Sequence, residues 1–299
     1  MPPPRSCLVA ALLFAGCTFS LDRFVERHGL ETSIIAGDGY RHVVVTRYAE
    51  PPAGRLHVYI EGDGIPWIRG RQPAGDPTPR NPLALRLMVK DPADAAYLGR
   101  PCYFGLANDS GCDASSWTSG RYSSAIVSSM AEVVRKLSAE GGYREIVLIG
   151  FSGGGTVARL MARQLPELTG LLTVNANLDV HGWTASRGYQ PLDGSISPAD
   201  DAGLPPHILH VQAVGARDRV VPPEVTESYR QRHDLVVWPY PEFGHACCWL
   251  ESWAAILVRF SEELESRQRR ASGLPHEDHL VPGTPFQKPR FREPVGAEQ

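Results

Sequence analysis

A serine set among glycines is the residue type in this chain that most directly points to chemistry. Gly150-Phe151-Ser152-Gly153-Gly154 follows an apolar run over 146–149 and precedes Thr156, Val157, Leu160 and Met161, which recur at helical spacing. The stretch reads as strand, sharp turn, helix. Small flanking residues let the chain bend tightly enough to hold Ser152 in a strained conformation, its hydroxyl projecting above a sheet. A serine hydroxyl is a poor nucleophile until an imidazole of near-neutral pKa accepts its proton, and an acid is needed to fix that imidazole's tautomer. The competing reading of the glycines is a structural turn of phosphate-cradle type. The lack of a following lysine argues against a Walker-type loop.

The elements that must position this serine are those of an alternating α/β chain. The run over 146–149 is uninterrupted, as a central parallel strand buried on both faces requires. Further strands are expected at 42–48, 56–60, 97–104, 171–177, 207–214 and 235–240. Helices are expected at 81–88, 121–137, 224–232 and 249–264, the second being the crossover into the serine strand. Residues 179–206, with Trp183, Tyr189 and several prolines and glycines, read as a small loop-like cap rather than a second domain. With 299 residues and 42% hydrophobic content, the chain suffices for one large α/β domain.

A net charge of -3 and the lack of a basic cluster interleaved with aromatics argue against a nucleic-acid partner. The histidines are scattered without metal-ligand spacing, so no metal and no cofactor is expected.

The segment around Ser152 resembles the nucleophile elbow of the α/β-hydrolase family, and the resemblance extends over residues 55–264. It implies a mostly parallel central sheet flanked by helices. In that family an acid follows a late strand in a turn, which here points to Asp218 in Gly215-Ala-Arg-Asp218, with Asp179 one strand earlier as the alternative. The family keeps its general base between the last strand and last helix, where Gly244-His245 stands. The order Ser152, Asp218, His245 is the order of this family and not that of chymotrypsin-like or subtilisin-like enzymes.

The resemblance also implies an oxyanion hole made by backbone N–H groups of Gly153 and of a residue after the strand at 56–60. That strand runs into Glu61-Gly62-Asp63-Gly64, so Asp63 stands at the donor position and Glu61 replaces the family's histidine. A carboxylate aimed at the reaction centre would repel an oxyanion, so Asp63 can serve only through its N–H with its side chain turned away. The alternative is a plain Gly-Asp-Gly turn.

Arg5, the apolar run to Ala15, and Gly16-Cys17 form a signal-peptide pattern too short to span a bilayer as a mature helix, the alternatives to a lipoprotein signal being ordinary secretion with cleavage nearby or a short buried helix. Ala15-Gly16-Cys17 resembles the lipobox of bacterial lipoproteins, with Phe14 where that family usually has leucine. This implies a signal over 1–16, lipidation at Cys17, and an exported protein anchored on the periplasmic side, the outer membrane favoured. Residues 17–40 are then expected as a tether, 41–264 as the hydrolase domain and 265–299 as a disordered tail. Export permits disulfides. Cys102 and Cys112 bracket a polar loop and are the expected bridge, two reduced cysteines being the alternative. Packing without a bond is expected for the adjacent Cys247 and Cys248.

The expected function is a serine hydrolase, a carboxylesterase acting on a small-molecule acyl substrate as a monomer. A peptidase, a thioesterase, an acyltransferase, or a degenerate surface-anchored binding lipoprotein are the alternatives.

Overall fold

The computed structural model describes residues 19–49 and 54–272. Its strands are β1 (Glu31–Ala36), β2 (Arg41–Arg47), β3 (Arg55–Ile60), β4 (Trp67–Ile68), β5 (Gln72–Pro73), β6 (Asp94–Leu98), β7 (Glu145–Phe151), β8 (Leu168–Val174), β9 (Leu209–Gly215) and β10 (Val236–Tyr240). Its helices are α1 (Leu21–His28), α2 (Leu83–Met88), α3 (Ser124–Gly141), α4 (Gly153–Met161), α5 (Val180–Arg187), α6 (Pro223–Arg230) and α7 (Trp249–Ala271). Eight strands form one sheet in the order β1-β2-β6-β3-β7-β8-β9-β10. The first two pairings, β1 with β2 and β2 with β6, are antiparallel, and all pairings from β6 to β10 are parallel.

The parallel strands explain their own composition. Ile146, Val147, Leu148 and Ile149 are buried, and successive residues point to opposite faces. Ile146 and Leu148 pack with Ile126, Met130 and Val134 of α3 and Val157 and Met161 of α4. Val147 and Ile149 pack on the other face with Leu85 and Met88 of α2 and Trp253, Ile256 and Phe260 of α7. The sheet is thereby covered on both sides, and its carboxyl ends form the rim from which functional loops leave.

Four expected segments differ. Residues 17–40, expected as a tether, contain α1 and the edge strand β1. The helix begins where the Ser20 hydroxyl accepts the Arg23 N–H and ends at Gly29 in a left-handed conformation. β1 shows no apolar alternation because it is exposed at every position but the half-buried Ile35, which left it without a periodic signal. The strand expected at 97–104 is instead β6, which ends at Leu98; Cys102 and Phe104 have positive φ and belong to turns. The region 179–206 is not all loop, since α5 occupies its start. The last helix runs seven residues past 264, to Ala271, supported on its polar face by Arg269–Glu265 and Arg270–Glu263 ion pairs. Cys17 and residues 273–299 lie outside the described residues.

Candidate active site

Ser152 sits where β7 turns into α4, with φ 53 and ψ -127, a conformation that L-residues rarely adopt. The bend works because Gly150 and Gly155 approach so closely that a Cβ on either would collide, one with Gly155 itself and the other with Ala176. The Ser152 N–H donates to Val174 O at 2.9 Å, tying the turn to the end of β8.

The turn after β9 delivers Asp218, buried, with the Asp218 N–H donating to Gly215 O at 3.0 Å. Its Oδ1 accepts the N–H groups of Val220 at 2.7 Å and Val221 at 3.0 Å. Its Oδ2 lies 2.7 Å from His245 Nδ1. His245, on the loop between β10 and α7, places Nε2 3.0 Å from Ser152 Oγ. The Phe151 ring packs on the imidazole at 4.9 Å between centroids. Three residues distant in sequence thus form one hydrogen-bonded chain at the carboxyl rim of the sheet. Asp218 turned to the N–H groups beside it fixes the Nδ1–H tautomer that leaves Nε2 free to accept the serine proton.

Asp179 makes no contact with His245. Its Oδ1 caps α5 through the Gly182 N–H at 2.9 Å, and its Oδ2 accepts from Ser228 Oγ at 2.5 Å and Arg232 Nη2 at 3.1 Å. Asp218 is the acid that the geometry brings to the imidazole.

At Asp63 the side chain turns away from the serine into a buried cluster. Its Oδ1 accepts from Arg100 Nη1 at 2.5 Å, and its Oδ2 from Arg121 Nη1 at 2.9 Å and Tyr122 Oη at 2.7 Å. Burial pushes this carboxyl up, but the Arg121 and Arg100 guanidinium groups outweigh it and hold the pKa at about 2. The Asp63 carbonyl accepts from Tyr103 Oη at 2.9 Å. The N–H groups of Asp63 and Gly153 donate to no group among the described residues, while the Gly62 N–H donates to Glu61 Oε1 at 3.2 Å. The two free donors belong to segments packed on each other, since a Cβ on Gly153 would strike the Asp63 carboxylate.

Glu61 is buried and ties the turn to α2. Its second oxygen accepts the Ala84 N–H at 2.9 Å at the start of α2. Burial raises its pKa to about 7 against the opposing effect of backbone donors at Gly62, Ala84, Leu85 and Leu83.

Cys102 and Cys112 are joined by a disulfide, and so are Cys247 and Cys248. The second bond departs from the expectation of unbonded packing. It is accommodated by a left-handed φ of 81 at Cys248, two residues beyond Ala246 in the loop that carries His245. Among the described residues no group of His, Cys, Asp and Glu is arranged to hold a metal ion.

No protein-family model matches the sequence, and no curated protein is recognisably similar to it. Solved structures match it in three dimensions. An esterase from Pyrococcus furiosus aligns with a TM-score of 0.53 at 12% identity, covering 82% of this chain and 92% of that one. The chain has the α/β-hydrolase fold. A puromycin hydrolase aligns with a TM-score of 0.53 at 18% identity over 86% of this chain. The match takes in only 41% of that longer protein. Within the α/β-hydrolase fold, Ser152, Asp218 and His245 stand after β7, β9 and β10, each at a strand's carboxyl end.

Sequence reading did not find Arg100, Arg121, Tyr103 or Tyr122, which hold the Asp63 turn, nor Asn175, which touches the histidine loop. One signal was present for the first of these: Arg100 interrupts an otherwise apolar stretch, and a buried arginine requires a buried acceptor.

Proposed function

We propose that this chain is a serine hydrolase that cleaves carboxylic esters through an acyl-enzyme on Ser152. The observation that carries the reading is the continuous chain Asp218 Oδ2 to His245 Nδ1 at 2.7 Å and His245 Nε2 to Ser152 Oγ at 3.0 Å. As Oγ attacks the acyl carbon, His245 Nε2 takes its proton, and Asp218 stabilises the imidazolium that results. The carbonyl oxygen becomes an oxyanion within reach of the N–H groups of Gly153 and Asp63. Loss of one such donor typically costs about 10²–10³ in kcat. The imidazolium then protonates the leaving alcohol, and water repeats the sequence to release the acid.

The esterase among the structural matches supports the ester reading. The reading as a degenerate binding protein rested on Asp63. Against it stands the pairing of that carboxylate with Arg100 and Arg121. We also propose that Cys17 carries a lipid anchor to the cell envelope, on the signal-like pattern before it.

The deciding experiment is reaction of the purified protein with a fluorophosphonate probe, followed by a chromogenic ester series of increasing acyl length. Covalent labelling at Ser152 and ester turnover are expected. A folded protein that does not label would leave the binding-protein reading in its place.

A further inference from the structure

The loop that carries His245 lies between β10 and α7 and has almost no backbone ladder of its own. Its internal and neighbouring backbone bonds are Phe243 N–H to Tyr240 O at 3.2 Å, Ala216 N–H to Tyr240 O at 3.0 Å and Arg217 N–H to Phe243 O at 2.9 Å. None of these bonds touches the histidine. What holds the peptide groups at His245 is side chains. Asn175 Nδ2 donates to Gly244 O at 3.0 Å and to His245 O at 2.9 Å. Trp249 Nε1 donates to the same two carbonyls at 3.2 and 3.0 Å.

Asn175 does more than Trp249, because its other end reaches the acid. Asn175 Oδ1 accepts the Gly215 N–H at 2.8 Å, and the carbonyl of Gly215 accepts the Asp218 N–H at 3.0 Å. One buried amide therefore bridges the turn of the acid and the loop of the base. Its backbone borders the third partner, since Val174 O, just before it, accepts the Ser152 N–H. Asn175 is 2% exposed, and its bond to the Gly215 N–H is buried while the two to the histidine loop are partly buried.

The residue type fits this duty closely. An amide supplies two N–H donors and one acceptor, and here all three are used. The reverse orientation would set the amide NH2 against the Gly215 N–H and its oxygen against two carbonyls, so the network fixes the orientation. Asn175 has φ 47, in the left-handed region that asparagine tolerates better than most residues. Aspartate would lose both donors, and leucine would lose all three bonds.

We propose that Asn175 is the positioning residue of this site, locking the His245 loop to the Asp218 turn and thereby setting the reach from His245 Nε2 to Ser152 Oγ. This rests on the serine-hydrolase reading above. Asn175 touches no reacting atom in that reading; it acts through the histidine.

The test uses the full chain with Asn175→Gly, which keeps the left-handed φ, and Asn175→Asp, which keeps the shape. The measurements are kcat and KM for a chromogenic ester, the fluorophosphonate labelling rate at Ser152, and each variant's melting temperature. The expected result is a fall in kcat and in labelling rate of about 10²-fold, the scale of a 1 Å misplacement, with KM within about threefold. In a His245→Ala background the same Asn175 changes should cost nothing further, because the group being positioned is gone. A folded Asn175→Gly protein with undiminished kcat overturns the proposal. So does a loss that persists unchanged in the His245→Ala background, which would mark a general structural role. A wild-type protein that does not label removes the serine-hydrolase reading itself and the proposal with it, an outcome distinct from either of these.

Discussion

The Asp63 carboxylate and Gly153 lie back to back, so close that a single added Cβ on the glycine would collide with the acid. This contact joins the two segments whose N–H groups we propose as oxyanion donors, one from the turn after β3 and one from the start of α4. It also places a negative charge near the serine, which is tolerable only because Arg100 and Arg121 both bind that carboxylate. Two guanidinium groups against one carboxylate leave the cluster with net positive charge, the sign that favours a developing oxyanion.

The first prediction follows from that cluster. Asp63→Asn is expected to destabilise the fold by about 3–5 kcal/mol, the cost of stranding buried charge, and to leave activity no higher than in the wild type. Denaturant unfolding and ester turnover check it. If Asp63 instead opposed catalysis, the variant would be faster and nearly as stable.

The hydrogen-bonded chain predicts a division between the two candidate acids. Ser152→Ala, His245→Ala and Asp218→Asn should each remove most ester hydrolysis while shifting the melting temperature little, Asp218→Asn retaining the most activity. Asp179→Asn should keep near-wild-type turnover and lose stability, because that side chain caps α5 and binds Ser228 and Arg232. A larger kinetic loss from Asp179→Asn than from Asp218→Asn, in folded protein, reverses the assignment.

What the sequence made legible was what local chemistry writes locally. The elbow needs glycines beside Ser152 and could be read locally, whereas Asp218 and His245 were implied by the resemblance to α/β-hydrolases, with Asp179 open as the alternative acid until the contact between Asp218 and His245 is seen. The partners of Asp63 could not, because its bonds to Arg100 and Arg121 span 37 and 58 residues and leave no periodic trace. Asn175 was hidden for a related reason: at a strand end its residue type suggests a turn, and nothing local tells that its amide reaches Gly244, 69 residues away. β1 was missed because a strand exposed at all but one position carries no alternation, and the end of α7 because its last turns are nearly all polar.

Three buried groups set a pH dependence with opposing signs. His42 is pushed down to about 4 by burial, against a bond to Gly99 O, and His210 is also pushed well down by burial. Both are neutral in the fold at neutral pH, so their contribution is complete above about pH 6.5 and is lost as pH falls from there through the depressed folded values, about 4 for His42. Glu61 works the other way. Burial raises its pKa from 4.5 to about 7, so the folded state binds its proton more tightly, and stability falls as pH rises between those values. In Glu61→Gln, unfolding free energy should therefore rise more steeply with pH from about 4.5 to 6.5 than in the wild type. Denaturant titrations at four or five pH values check this, and parallel profiles would contradict it.

The proposed anchor predicts that Cys17→Ser converts a detergent-extracted, membrane-associated protein into a freely soluble exported one. Mass spectrometry of the native protein supplies the complementary check, since unmodified Cys17 at the mature amino terminus, or retained within an uncleaved chain, removes the lipoprotein reading.

The disulfide between Cys102 and Cys112, ten residues apart, closes a loop that touches the site directly. Tyr103, next to the bridge, donates to the Asp63 carbonyl, and the Phe104 N–H donates to Thr78 Oγ1 at 2.5 Å. In the chain-entropy picture, a loop of this size stabilises by roughly 2.5 to 3 kcal/mol. The double change Cys102→Ala with Cys112→Ala should lower stability by about that amount. It should also alter the ratio of kcat/KM for short and long acyl esters under conditions where the protein stays folded, because the loosened loop no longer fixes the turn that carries one oxyanion donor. Non-reducing peptide mapping establishes the pairing in the native protein. A Cys102 peptide linked to Cys247 or Cys248, or an acyl preference untouched by the double change, would show that this loop does not govern the site.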